Sequence, residues 1–190
     1  MGLRHKIGQM NAMVCPWWLC YSFDNPLRRL FHDPERLLGP YVTPGMTAVD
    51  VGCGMGYFSI GLAKLAGPGG RVIAVDLQER MLSVLERRAR RAGLAERVVC
   101  HRCKKESLGV EGPVDFVLAF WMVHEVPDKD RFFGEICSLL KTGGRILLVE
   151  PKYHVTQKGL AYTLASCRDA GLRVLDEPAV ALSRAFLLEK

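Results

Sequence analysis

The sequence predicts a doubly wound α/β fold built on a mostly parallel sheet. Three observations predict it. Short, near-continuous apolar runs alternate with longer amphipathic segments from Thr47 onward, the pattern of strands buried on both faces by crossover helices. Three glycines at alternate positions follow the first apolar run, in "VDVGCGMGYFS". The last two apolar runs are joined too closely for a crossover helix, which allows an antiparallel pair at the end of the chain.

Each element follows in order. "TAVDV" reads as the first strand and "YFSIGLAKLAG" as a helix closed by Gly67. "RVIAVD" is the second strand. "QERMLSVLERRARRAG" spaces Met81, Leu82, Leu85 and Ala89 on one helical face and stops at Gly93. "RVVCHR" and "VDFVLAF" are the third and fourth strands. "KDRFFGEICSLLKTGG" reads as a helix ended by its glycine pair, with "RILLVEP" as the fifth strand. "TQKGLAYTLASCRDAG" is a further helix, and "LRVLDEP" and "AFLLEK" are the final strands. The segment before Thr47 is rich in proline and aromatics and lacks a clean period until a short helix starting at Pro34. With 190 residues, one domain is expected over 1–190, with an N-terminal cap over 1–45 and a core over 46–190.

Bulk properties narrow the function classes. Hydrophobic residues make up 49% of the chain, ample for a packed core, and no apolar run is long enough to span a bilayer. The N-terminus has no charged-then-apolar leader, so a cytoplasmic protein is expected, with its seven cysteines reduced. Much of the +6 net charge sits in "ERRARRAG", without interleaved aromatics, so a solvated helix face is favoured over a nucleic-acid patch. Peripheral membrane contact through the N-terminal tryptophans and "PLRRLF" is an alternative role for the cap. Cys100 and Cys103, with Cys15 and Cys20, have no diagnostic metal spacing; buried inert thiols are expected and no metal.

Gly52, Gly54 and Gly56 lie where the first strand turns into the first helix, where missing Cβ atoms let a ligand approach the backbone. The dinucleotide fingerprint is G-x-G-x-x-G; here the third glycine comes one position early. Asp50 stands just before the turn, where it would repel a pyrophosphate and welcome an ammonium group. Asp76 ends the second strand, placed to accept ribose hydroxyls, and Leu77 follows to pack on a base. A ligand with a ribose, a base and a cationic amino-acid end is implied.

These stretches, with "VIAVDLQERML" and "VDFVLAFWMVHEVPDKDRFFGEICSLLKTGGRILLVEP", resemble the class I S-adenosylmethionine-dependent methyltransferase family over roughly Thr47 to Pro151. The resemblance implies a seven-stranded Rossmann-like sheet with an antiparallel last strand. It also implies S-adenosylmethionine as cofactor and S-adenosylhomocysteine as product. Gly52, Cys53, Gly54, Gly56, Tyr57 and Phe58 would border its methionine portion, with Asp50 organising the loop and the amino group. Asp76 would hold the ribose, and Leu77 and Gln78 the adenine. The third strand usually presents an acidic residue to the adenine; here Cys103 and Lys104 stand there instead. Phe120 would border the methyl group.

His124 and Glu125 follow the fourth strand at the carboxyl edge of the sheet, and Glu150 ends the fifth; these are the catalytic candidates. Trp17, Trp18 and Tyr21 are candidates for covering an apolar acceptor or an open sheet edge. The residues "AFWM" replace the Asn/Asp-Pro-Pro-aromatic signature that resembles nucleic-acid base methyltransferases, which favours a small-molecule acceptor. Two other classes remain open: a nicotinamide-dependent oxidoreductase, and a cofactor-binding partner protein without chemistry.

Overall fold

The computed structural model describes residues 28–190. Two short helices, α1 (Arg28–Phe31) and α2 (Pro34–Leu38), lead into the alternating core. Asp33 caps α2 by accepting from the Arg36 amide at 3.0 Å, with Pro34 at the first helical position. The core runs β1 (Thr47–Val51), α3 (Tyr57–Ala66), β2 (Arg71–Asp76), α4 (Glu79–Arg91), β3 (Val98–Arg102), β4 (Val114–Phe120), α5 (Lys129–Leu139), β5 (Leu140–Pro151), α6 (Gln157–Asp169), β6 (Arg173–Asp176) and β7 (Ser183–Glu189).

The strands form one seven-stranded sheet in the order β3-β2-β1-β4-β5-β7-β6. β1 pairs in parallel with both β2 and β4, so the strand order reverses around β1 and leaves a crevice at its carboxyl end. β7 runs antiparallel to β5 and to β6, as the short last connection allowed.

Period-two alternation along the strands divides the core into two layers. Ala48, Phe116, Leu118 and Leu147 face the side covered by α2, α3 and α4, where Leu38, Leu62 and Leu85 are fully buried. Val49, Val117, Ile146 and Leu148 face α5 and α6, where Phe133, Ile136 and Leu160 pack. Asp128 and Thr156 cap α5 and α6 by accepting from the Arg131 and Gly159 amides.

One boundary differs from the sequence expectation. The helix starting at Lys129 ends at Leu139, and β5 begins at Leu140, before the glycine pair. Leu140 is buried and pairs with Val114, so its backbone turns extended. Lys141–Gly144 is then an insertion within the strand: the register moves from Val114↔Leu140 to Phe116↔Arg145. The glycines serve that bulge, with Gly143 at φ 74° bonded to the chain end at Lys190.

Candidate active site

The turn after β1 is tied to β2 by its backbone. The amides of Gly52 and Cys53 both donate to the Val75 carbonyl, at 2.8 and 3.0 Å. The three glycines have separate reasons to be glycine, and all have positive φ. A Cβ on Gly52 would meet Met122 at 2.9 Å, and one on Gly56 would meet Leu85 at 2.0 Å. A Cβ on Gly54 would meet nothing within 4 Å, so that peptide faces open space.

Asp76 organises the rim of this space. One carboxylate oxygen accepts from the Gly54 amide at 2.9 Å and the other from the Gln78 amide at 2.8 Å. Its own carbonyl accepts from the Cys103 amide at 3.1 Å, which fixes the end of β3 beside it. Burial raises the Asp76 pKa, and these amide bonds oppose the rise. The Leu77 amide acts on it as well, and a carboxylate offers about four acceptor sites, so capacity is left for a ligand hydroxyl. Leu77 and Gln78 are half-buried next to it, and Cys103 is half-buried with its thiol pushed up to about 11 by burial. Lys104 is exposed and pairs backbone to backbone with Ser107.

Asp50 lies beneath the turn and is 2% exposed. The Ser59 hydroxyl, on α3, donates to it at 2.5 Å. Burial pushes this carboxyl up to about 7, and the Ser59 bond and nearby Arg28 act in the opposite direction. Asp50 thus joins β1 to α3 through Ser59, a partner that the sequence did not single out. Cys53 is buried, and desolvation holds its thiol well above the ordinary range.

Aromatic rings form the wall between the turn and the fourth strand. Phe58 and Phe120 lie 4.3 Å apart between centroids, with Tyr57 and Trp121 alongside at 5.2 and 5.4 Å. Trp121 adopts φ 58° just past β4, and its indole N–H donates to the Ser183 hydroxyl at 2.9 Å. Strain at a residue of this kind marks a position over-determined by its surroundings.

Beyond the wall stands an acid–base pair. His124 Nδ1 is 2.7 Å from Glu150 Oε2, and the His124 amide donates to Glu150 Oε1 at 3.1 Å. Glu150 is 2% exposed, whereas His124 is partly open. The structure therefore brings together two of the three catalytic candidates, from turns after β4 and at the end of β5. Glu125 follows on the same turn, half-buried, but the carboxylate that meets the imidazole is Glu150. The His154 ring packs edge-on against His124 at 4.8 Å, a neighbour legible in "EPKYHV" only as a second histidine just past the same strand. Trp17, Trp18 and Tyr21, with Cys15 and Cys20, lie outside the described residues. A groove of about 780 Å³ opens nearby between α6 and the segment leading into β7, touching Ser183 but not the glycine turn.

A family model described as a methyltransferase domain matches residues 42–176, most of the chain. The chain belongs to the methyltransferase domain family. Among curated relatives, a demethylmenaquinone methyltransferase of Bacillus cytotoxicus is 31% identical over 109 residues, 57% of this chain and 46% of the relative. A ubiquinone biosynthesis O-methyltransferase of Leptothrix cholodnii is 31% identical over 149 residues, 75% of this chain and 61% of the relative. The chain thus spans about half the length of the first of these relatives. A SAM-dependent methyltransferase from Aquifex aeolicus shares its fold, with a TM-score of 0.82 at 24% identity, covering 93% of this chain and 98% of that one. The open face of Gly54 and the Asp76 carboxylate at its lip leave room and hydrogen-bonding capacity for a ligand that carries hydroxyls.

Proposed function

We propose that this methyltransferase domain binds S-adenosylmethionine over the turn Gly52–Gly56 and transfers its methyl group to a small-molecule acceptor. The observation that carries the reading is the arrangement at Gly54 and Asp76. A buried carboxylate is held by the backbone amides of Gly54, Leu77 and Gln78 at the lip of a peptide whose missing side chain faces open space. Asp76 would bind the ribose hydroxyls, with Leu77, Gln78, Cys103 and Lys104 on the adenine side. Gly52, Cys53, Gly54, Gly56, Tyr57, Phe58 and Phe120 would border the methionine portion. Asp50 would support that turn from below through Ser59. When bound, the cofactor supplies a methyl group already activated on a sulfonium, so positioning and exclusion of water are the protein's main tasks.

The chain's own proton chemistry centres on His124. With Glu150 accepting from Nδ1–H, the Nε2 lone pair is left to receive a proton from an acceptor hydroxyl or thiol, and the buried carboxylate stabilises the resulting imidazolium. Glu150 is a positioning residue here, acting through His124, and Glu125, next on the same turn, would be a further carboxylate at that edge. The quinone-pathway names of the relatives support a small-molecule acceptor. Trp17, Trp18 and Tyr21, within a cap over residues 1–45 of a single domain, would cover it. A cytoplasmic location belongs to the same reading; among the described residues no helix is long and apolar enough to cross a membrane.

The test is methyl transfer itself. Protein incubated with methyl-labelled S-adenosylmethionine and a panel of phenols, hydroquinones and thiols should release S-adenosylhomocysteine only with an accepted class. His124→Gln should lower that turnover about 10²- to 10⁴-fold, the range of general base catalysis, without matching loss of cofactor affinity. Cofactor binding with no turnover on any acceptor would favour the non-catalytic partner instead, and binding of NADH alone the oxidoreductase.

A further inference from the structure

α1 lies against the aromatic wall, and its first residue enters it. The Arg28 guanidinium carbon lies 4.6 Å from the Tyr57 ring centroid, 5.1 Å from Phe58, 5.6 Å from Phe120 and 5.8 Å from Trp121. Two of these rings open α3 directly after the glycine turn, whereas Phe120 ends β4 and Trp121 follows it, ahead of the His124 turn. The cation therefore packs on rings that follow the candidate cofactor turn and rings that precede the candidate base in the chain.

Its placement is held by other contacts of the same segment. The Tyr57 hydroxyl donates to the His32 carbonyl at 3.0 Å. His32 Nε2 meets the Ala181 carbonyl at 2.8 Å, and its ring sits edge-on to Phe120 and Trp121, both at 5.2 Å. His32 is 3% exposed, whereas Arg28 is only half-buried. Stacking uses the faces of a guanidinium; its five N–H donors lie in the plane, enough to serve a bound anion in addition to internal partners.

We propose that Arg28 is an anion receptor of the acceptor site. It would select small planar aromatic acceptors that carry a carboxylate or phenolate oxygen. The half-buried Tyr57 and Trp121 rings match a planar body, and the guanidinium beside them matches its charge. A second cation beside a sulfonium is unfavourable on its own, and an anionic acceptor between them removes that conflict. The inference deepens the methyltransferase reading and depends on it only in calling the bound anion an acceptor.

The test compares 2-naphthoate with the neutral, similarly shaped 2-naphthamide by calorimetry, with and without saturating S-adenosylhomocysteine. The wild-type protein should bind the carboxylate at least about tenfold more tightly, the size of one charge-assisted contact. Arg28→Gln should abolish that preference, and Arg28→Lys should restore part of it, a rescue that a purely structural role would not give. Equal affinity for both probes, binding of neither, or a preference unchanged in Arg28→Gln would overturn the proposal. Loss of S-adenosylhomocysteine binding in Arg28→Gln would also overturn it, making the residue a support of the cofactor turn. Failure of the wild-type protein to bind S-adenosylhomocysteine would instead sink the cofactor reading, while the naphthoate comparison still decides the role of Arg28.

Discussion

Asp50, one residue short of the end of β1, and Asp76, at the end of β2, lie on adjacent strands, yet their surroundings give them different work. Asp76 is held by backbone amides and is 8% exposed; Asp50 is 2% exposed and bonded to Ser59. The enclosure has a consequence for stability. An aspartate titrates near ~3.9 in an unfolded chain, and Asp50 titrates at about 7 in the fold. A carboxyl whose folded pKa is raised contributes stability that is complete below pH ~4 and is lost as pH rises through about 7. Asp50→Asn removes the titration, so urea midpoints measured from pH 4 to 8 should fall less steeply in the variant than in the wild type. Identical slopes would show that Asp50 is already ionised throughout that range. Ser59 was not legible as a site residue because nothing in "YFSIGLAKLAG" separates it from a small helix residue. Only the meeting of β1 and α3 in space gives it a partner.

At the scale of elements, the glycine turn makes two contrasting demands. Gly56→Ala places a methyl at 2.0 Å from the buried Leu85 side chain and at φ 84°, so Leu85 or the turn must give way. A loss of about 1–3 kcal/mol from overpacking is expected, with the backbone strain in addition, read as a lowered denaturant midpoint. Gly54→Ala meets no atom within 4 Å. Its stability cost is the positive-φ strain alone, about 1–2 kcal/mol, but the methyl enters the proposed ligand space. S-adenosylhomocysteine affinity should therefore fall more in Gly54→Ala than in a stability-matched core variant. The turn, the β2 terminus and the helices were legible because glycine spacing and apolar periodicity are local signals. The β5 start was not. A glycine pair after a helix reads as a stop, and only the pairing of Leu140 with Val114 shows that the strand begins earlier and bulges.

At the scale of the whole molecule, the sheet order and its two apolar layers set where chemistry can occur. Reversal of strand order at β1 puts the glycine turn, the Asp76 rim and the Phe120–Glu125 turn on one edge, and β5 adds Glu150 there. That edge was legible from the sequence, since each candidate follows the carboxyl end of a strand. The pairing of His124 with Glu150 across 26 residues was not, nor was the entry of Arg28 into the aromatic wall, because neither leaves a mark in local spacing. Phe133→Ala, at a fully buried ring in the layer under α5 and α6, should cost about 3–5 kcal/mol in an unfolding titration.

The most direct test of cofactor binding is a calorimetric titration of S-adenosylhomocysteine into the wild-type protein and into Asp76→Ala, with NADH as a control ligand. Saturable binding to the wild type, weakened at least about tenfold in the variant as a buried charge-assisted contact is lost, with no response to NADH, is the predicted result. Equal affinity in both proteins, or a response to NADH alone, would contradict the assignment of Asp76 and the glycine turn to an adenosyl sulfonium cofactor.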